Sequence, residues 1–239
     1  MPLDDGFRLD TEVARESLLR AATREARAFI RLASLLPRDL DVCVPGGVRD
    51  GEDVVVLVHG ALATAGAWRP LRARLELLGR HVATFTYGPS RGVKDIAEAL
   101  AGVVRKLPSG ARIHLVGHSL GGLAVRWFVQ EVGCDPRIVQ TIAVASPFAG
   151  ARGAWLLPGP AGRDMQSGSA VLSRLLLTAG RCPSLPHLSI FGTADTAVAP
   201  STTFPVGERI VVPGAGHNVL LFDERVVNRI ISRVTTPVA

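Results

Sequence analysis

Apolar residues recur every three or four positions between residue 11 and about residue 36, and arginine and glutamate fill many of the positions between them. This spacing predicts a helix with one apolar face, which Pro37 ends. The apolar positions are Leu18, Ala22, Ala26, Phe29, Ala33 and Leu36. We therefore predict an N-terminal helical extension over residues 1–40, packed on the outside of the main domain. Docking on a membrane surface or on a partner is the alternative.

From residue 53 onward, strand-like and helix-like segments alternate. Strands are predicted at residues 54–58, 82–87, 113–116, 139–145, 187–192 and 209–212, and helices at 68–78, 93–107, 120–132 and about 221–234. This alternation predicts a mostly parallel sheet of about six strands with helices on both faces. The uninterrupted apolar run at 54–58 is typical of a central strand buried on both sides. We expect a single α/β domain over residues 41–239.

The alternation breaks between residues 147 and 186, where glycine and proline are frequent. A short apolar helix is predicted at 170–177 within this insertion. The insertion would lie above the carboxyl edge of the sheet, either as a small lid or acyl-binding wall or as a packed surface excursion. The leucines concerned are Leu156, Leu157, Leu172, Leu175, Leu176 and Leu177.

Composition narrows the function classes. Hydrophobic residues make up 47% of the 239 residues and charged residues 20%, which is typical of a globular protein. The net charge of +6 is spread along the chain and forms no stripe of basic and aromatic residues. We therefore expect no nucleic-acid partner. The charge is interpreted as a solvated surface, with weak, transient contact with an anionic lipid interface as the minor alternative.

Three cysteines, Cys43, Cys134 and Cys182, are odd in number and match no metal-ligand spacing. They are expected to be idle or buried thiols, although a disulfide between Cys43 and Cys182 stays open. No carboxylate-rich loop suited to calcium is present either. The sequence therefore predicts neither a metal nor a cofactor.

The chain opens without a basic segment followed by an uninterrupted apolar core, and no apolar stretch approaches the roughly 18 residues of a membrane span. These features predict a soluble, cytoplasmic protein. An export signal ahead of the given sequence would change that expectation, and the oligomeric state stays open.

Residues 117–121 read Gly-His-Ser-Leu-Gly between an apolar strand and a helix-like stretch. In a nucleophile elbow, a serine on a tight turn from strand to helix exposes its hydroxyl at the sheet edge. Small residues two positions before and after let the backbone pass. Gly117 and Gly121 fill those positions, so Ser119 is the predicted nucleophile. An ordinary glycine turn or a decayed site is the alternative.

A serine hydroxyl needs an imidazole to take its proton and a carboxylate to orient that imidazole. In this arrangement the chain order is serine, acid, histidine, each in a loop after a strand. Asp195 and His217 stand in such loops, and Val198 and Pro200 follow the acid as a hydrophobic plug. Asp195 as a turn or helix-capping residue is the alternative. His217 alone stands late in a glycine-rich loop before a helix; the competitors are His59, His81, His114, His118 and His187.

Charge that develops on an attacked carbonyl must be met by preplaced N–H groups. One predicted donor is the amide of Leu120 at the start of its helix. The other is the amide of Ala61 in the loop that begins His59-Gly60, with Leu62 as the fallback.

Five segments together resemble bacterial lipases of the α/β-hydrolase superfamily: residues 56–60, 117–122, 145–150, 192–195 and 216–217. The resemblance covers about residues 53–235, and residues 163–169 resemble the stretch before the lid helix of these lipases. It implies hydrolysis of small-molecule or lipid esters through a Ser119 acyl-enzyme. We expect Leu62, Phe148 and Val198 to contact the substrate. At 145–150 the chain reads Ala-Ser-Pro-Phe-Ala-Gly where these lipases commonly read Gly-Thr-Pro-His-His-Gly, which leaves the pocket shape open.

Other functions are compared with the same candidate residues. A thioesterase or acyltransferase would act through the same three groups, since the motif does not specify the leaving group. A non-catalytic binding protein would have lost one of them, and none is lost here. Haloalkane dehalogenases and epoxide hydrolases carry aspartate at the position of Ser119, which argues against both. Haloperoxidase activity is left as a side reaction.

Overall fold

A computed structural model describes residues 18–199 and 204–236 of the chain. Its centre is one sheet whose six strands run in the order β2-β1-β3-β4-β5-β6, with every neighbouring pair parallel. The strands are β1 (Asp53–Val58), β2 (His81–Thr84), β3 (Arg112–His118), β4 (Ile138–Val144), β5 (His187–Gly192) and β6 (Glu208–Val212). The predicted α/β class and strand number are confirmed.

Helices cover both faces of the sheet. They are α1 (Leu18–Leu35), α2 (Arg69–Leu77), α3 (Val93–Arg105), α4 (Leu120–Trp127), α5 (Gly159–Asp164), α6 (Ala170–Leu177) and α7 (Glu224–Thr235). Helices α3 and α4 contribute to one core, together with α5 and α6, and α1, α2 and α7 to the other. Among the described residues, no helix combines the length and apolar character that a membrane-spanning helix requires.

Strand β1 shows why the sheet needs helices on both sides. Its residues alternate between the two cores: Val54, Val56 and Val58 face one, and Val55 and Leu57 face the other. All five side chains are fully buried. The continuous apolar run therefore forms a central strand, as predicted from its sequence.

Three elements differ in extent from the sequence prediction. β2 stops at Thr84 instead of residue 87, because Tyr87 leaves the ladder to bond the histidine loop after β1. The helix predicted over 120–132 is α-helical only to Trp127 and continues as a wider π-type turn over Phe128–Val132. The last predicted helix divides into a 3₁₀ turn at Val219–Leu221 and α7.

Helix α1 begins at Leu18 in the described structure, and the predicted residues 11–17 lie outside the described residues. Its buried side chains Ala28 and Leu32 join the core that contains Trp68. The helix therefore packs against the loops after β1 and β6. The division into an extension over residues 1–40 and a domain over 41–239 stays a prediction.

The insertion is partly core and partly surface. Leu172 and Leu175 are buried, whereas Leu156, Leu176 and Leu177 are exposed. Leu157 alone among the six leucines lines the cavity described below. That the insertion acts as a mobile lid stays a prediction.

The cysteines are free thiols in separate surroundings. Cys43 lies 3.3 Å from the guanidinium of Arg72. Cys182 lies beside the carbonyl of Val129 and the thiol of Cys134 instead. The Cys43–Cys182 disulfide left open by the sequence is therefore not formed.

Candidate active site

The candidate catalytic groups meet at the carboxyl edge of the sheet. His59 follows β1, Ser119 follows β3, Asp195 follows β5 and His217 follows β6. Because the strand order reverses between β1 and β3, the loops after these two strands diverge and leave a crevice between them. Ser119 stands at this crevice.

Ser119 occupies a strained, sharp turn. Its φ of 51° and ψ of −120° are uncommon for any residue other than glycine. The backbone N–H of Ser119 holds the turn by donating to the Val144 carbonyl at 2.8 Å. A Cβ on Gly117 would collide with the backbone of Gly121, and one on Gly121 would collide with the carbonyl of His59. Both glycines are thus sterically required, as the motif predicts.

Asp195 and His217 form a buried pair. The Asp195 carboxylate is fully shielded, and its Oδ2 lies 2.8 Å from Nδ1 of His217. Its Oδ1 accepts the N–H groups of Ala197 and Val198 at 2.9 and 2.8 Å. Because a carboxylate only accepts, Nδ1 carries the proton and Nε2 is left as the basic nitrogen.

His118 supports the loop that carries His217. Its Nε2 lies 3.3 Å from the carbonyl of His217, and the two rings lie 4.9 Å apart. Its other ring neighbour is Trp68, which it meets edge-on. Burial lowers the pKa of His118 well below the usual histidine value, so the ring is neutral. The histidine beside the nucleophile thus braces the His217 backbone.

The ring of His59 holds the loop after β1. Its Nε2 accepts the N–H of Tyr87 at 3.2 Å, so Nδ1 carries the proton and donates to the Gly60 carbonyl at 2.8 Å. The Tyr87 ring stacks on the imidazole at 3.8 Å, and its hydroxyl donates to the His59 carbonyl. Since a trans peptide directs its N–H opposite to its C=O, this anchor also fixes the direction of the Ala61 N–H.

A cavity of about 220 Å³ lies over Ser119 and His217. The predicted residues Ala61, Leu62 and Val198 line it. Leu62 adopts a left-handed backbone (φ 57°) and keeps 54% of its surface exposed at the opening. The remaining lining comes from α1, from the insertion and from the loops at the carboxyl ends of the strands: Phe29, Leu32, Ala63, His118, Ala151, Arg152, Gly153, Ala154, Leu157, Met165, Ala197 and Asn218.

Phe148, expected to contact the substrate, is not among the residues lining this cavity. Its side chain is buried in the core, with its ring 4.8 Å from that of Phe204 and 6.0 Å from that of His187. Packing against these two rings holds the Phe148 side chain in the core.

Sequence reasoning did not identify Phe29 and Leu32 of α1 as cavity residues, nor Tyr87 as a support for His59. The apolar periodicity identified the helix but not the surface on which it lies. Tyr87 is the single tyrosine of the chain and ends a predicted strand, which was the available signal.

A second, larger cavity of about 790 Å³ adjoins the first and shares Phe29, Arg152 and Asn218 with it. Its lining also includes Asp195 and the polar residues Thr193 and Thr196. These three residues therefore form a common wall between the cleft over the serine and a wider space beside α1. In residues 18–199 and 204–236, no cluster of three or more histidine, cysteine or carboxylate side chains is arranged to hold a metal ion.

Four buried histidines predict acid sensitivity. Burial lowers the pKa of His59 to about 4, and it also lowers the pKa values of His114, His118 and His187. Unfolded histidines bind protons below about pH 6.5, so the unfolded state binds more protons than the folded state as the pH falls. The contribution of these neutral rings to the free energy of unfolding is therefore fully present above about pH 6.5 and decreases as the pH falls below that value.

We expect the free energy of unfolding to fall by about 2 kcal/mol from His59 alone between neutral pH and pH 5. Urea unfolding at pH 7.5, 6.5, 5.5 and 5 measures this change in a range where few carboxylates titrate. A free energy of unfolding that stays constant over this range would contradict the neutral state assigned to these rings.

A parallel sheet with a strained serine turn after β3 and an acid–histidine pair after β5 and β6 defines an α/β-hydrolase architecture with the elements of a serine nucleophile site. Residues 55–229 match the alpha/beta hydrolase family, and the chain belongs to that family.

Solved structures show the same fold. The chain is similar to a mature lipase, BlEst2, of Bacillus licheniformis (TM-score 0.71, 17% identity, 82% of this chain and 97% of that one). It is also similar to a monoacylglycerol lipase of Paleococcus ferrophilus (TM-score 0.62, 19% identity, 82% and 98%). At these identities the likeness concerns the fold. In sequence, Methylesterase 3 of Arabidopsis thaliana is 37% identical over 82 residues, which is 30% of this chain and 31% of that protein. The chain thus matches less than a third of that relative's length.

Proposed function

We propose that the protein is a serine carboxylic ester hydrolase. One observation carries the proposal: Ser119, on its strained turn, and His217, held by Asp195, line the same apolar cavity. The relatives named lipase and methylesterase support ester hydrolysis as the reaction class.

The geometry supports a two-step acyl transfer. His217 Nε2 takes the proton of the Ser119 hydroxyl while Oγ attacks the acyl carbonyl. The N–H groups of Ala61 and Leu120 receive the developing oxyanion. His217 then gives its proton to the departing alcohol, which leaves an acyl-serine. Water, activated by the same imidazole, releases the acid and restores Ser119.

The substrate class follows from the lining. Phe29, Leu32, Leu157 and Val198 offer an apolar surface, which suits an acyl chain. Since about 220 Å³ is below the range of about 300 to 1,000 Å³ of pockets for drug-sized ligands, we propose acyl chains of short to medium length. Apolar esters, including acylglycerols with such chains, are the proposed substrates.

The test is hydrolysis of p-nitrophenyl esters from acetate to palmitate, combined with labelling by a fluorophosphonate and mass spectrometry of the peptide that contains Ser119. We expect turnover that peaks below the longest chains and a single adduct on Ser119. Hydrolysis of acyl thioesters with no turnover of oxygen esters would point to a thioesterase instead. Absence of both turnover and adduct would refute the proposal.

A further inference from the structure

Helix α1 crosses the carboxyl edge of the sheet and is fixed at its C-terminal end and near its middle. At its C-terminal end, the hydroxyl of Thr64 donates to the Leu36 carbonyl at 3.0 Å. A Cβ on Gly66 would collide with the Leu35 carbonyl, so the helix end lies directly on that glycine. Along the helix, Arg31 lies 4.5 Å over the ring of Phe222. The whole of α1 lies outside residues 55–229, the part of the chain that matches the family.

The other fixed point is the carboxylate of Glu25. Its Oε1 accepts the backbone N–H of Asn218 at 2.8 Å and the side-chain amide of the same residue at 2.7 Å. Its Oε2 accepts the N–H of Val219 at 3.3 Å. These backbone amides begin the 3₁₀ turn Val219–Leu221, and the first N–H groups of a helical turn have no partner within it. A carboxylate therefore makes charge-assisted hydrogen bonds at that point.

Gly216, the residue before His217, lies against the same Glu25 carboxylate. A Cβ on Gly216 would collide with Oε2 of Glu25, so a side chain at this position would displace the carboxylate from its hydrogen bonds. Glu25 thus contacts the backbone on both sides of His217, at Gly216 and at Asn218. Asp195 fixes the ring of the histidine, whereas Glu25 fixes the chain that carries the ring.

We infer that Glu25 is a positioning residue of the active site: it holds the loop of residues 216–219 so that His217 Nε2 reaches the Ser119 hydroxyl. The inference rests on the proposed function, because it assigns His217 as the base. Glu25 acts through the backbone of the loop and not on the reacting atoms. Since a displacement of about 1 Å at a catalytic group can cost about 100-fold in rate, loss of this contact is expected to slow the chemical step.

The test compares Glu25→Ala and Glu25→Gln, with Glu98→Ala on the exposed face of α3 as the matched control. We expect Glu25→Ala to lower kcat by about 10- to 100-fold with KM within about twofold, since the cavity lining is kept. Glu25→Gln should recover most of the rate, because its amide oxygen accepts the same Asn218 N–H. Glu98→Ala should behave as the wild type.

Amide hydrogen exchange of residues 216–221 gives a readout that needs no turnover. Faster exchange at Asn218 and Val219 in Glu25→Ala would support the inference, and so would restored protection of Asn218 in Glu25→Gln. Val219 should stay less protected in Glu25→Gln, because the NH₂ group replaces the oxygen that accepts its N–H. A wild-type kcat in Glu25→Ala, unchanged exchange at these amides, or a Glu25→Gln variant as slow as Glu25→Ala would overturn it. If the wild type hydrolyses no ester, the proposed function fails, while the exchange data still decide whether Glu25 holds this loop.

Discussion

Ser119→Ala is expected to lower kcat/KM for ester hydrolysis on the order of 10⁵-fold, with the fold intact. The change removes only the hydroxyl that attacks the acyl carbonyl. The oxyanion donors proposed at Ala61 and Leu120 belong to the backbone, so they stay in place and leave a residual rate above that of water. Steady-state hydrolysis of the best p-nitrophenyl ester, measured for both proteins purified in the same way, tests the prediction.

Ser109→Ala provides the matched control, since Ser109 is exposed in the turn before β3, on the opposite edge of the sheet from Ser119. It should keep the wild-type rate. Urea unfolding of both variants should give free energies within about 1 kcal/mol of the wild type, because neither change empties the core. A Ser119→Ala protein that retains a tenth of the wild-type rate would show that another group performs the attack, and would refute the assigned nucleophile.

The sequence allowed most of the central sheet to be predicted because strands β1 to β5 are almost entirely buried. Such strands appear as continuous apolar runs, and the run at 54–58 is the clearest case. The loops that carry Ser119 and Asp195 could be located because each follows a buried strand, whereas the loop of His217 follows the more exposed β6. Their roles stay predictions, but the structure brings these residues together at one edge of the sheet.

Long-range packing explains what the sequence did not reveal. Phe148 stands next to the site in the chain, yet the rings of Phe204 and His187 hold its side chain in the core. No local pattern specifies that partner, since the three residues are far apart in sequence. The same holds for α1, whose periodicity predicts a helix with an apolar face but not that Phe29 lines the cavity.

Asp195→Asn is expected to lower kcat by about 10³- to 10⁴-fold although it replaces one atom of a buried side chain. Asparagine has one oxygen and one NH₂ group. The N–H groups of Ala197 and Val198 both need an acceptor at the Oδ1 position, so the asparagine oxygen will occupy it. The opposite orientation would leave two buried donors facing the NH₂ group, at about 1 to 3 kcal/mol each. The NH₂ group therefore faces Nδ1 of His217, which must become an acceptor, and the proton moves to Nε2, the nitrogen that has to accept the serine proton.

Kinetics and stability measured together separate this tautomer effect from unfolding. Asp95→Asn, on the exposed surface of α3, should keep the wild-type kcat and shows the effect of the same chemical change elsewhere. Asp195→Asn should unfold within about 2 kcal/mol of the wild type, since its two backbone hydrogen bonds are kept. If Asp195→Asn retains more than a tenth of the wild-type kcat, the carboxylate does not set the proton position on His217.

The nearby carboxylate of Glu25 would then have to be considered, yet its oxygens already accept the N–H groups of Asn218 and Val219. Loss of activity in Asp195→Asn together with recovery in Glu25→Gln is therefore the result that assigns the ring to one carboxylate and the loop backbone to the other.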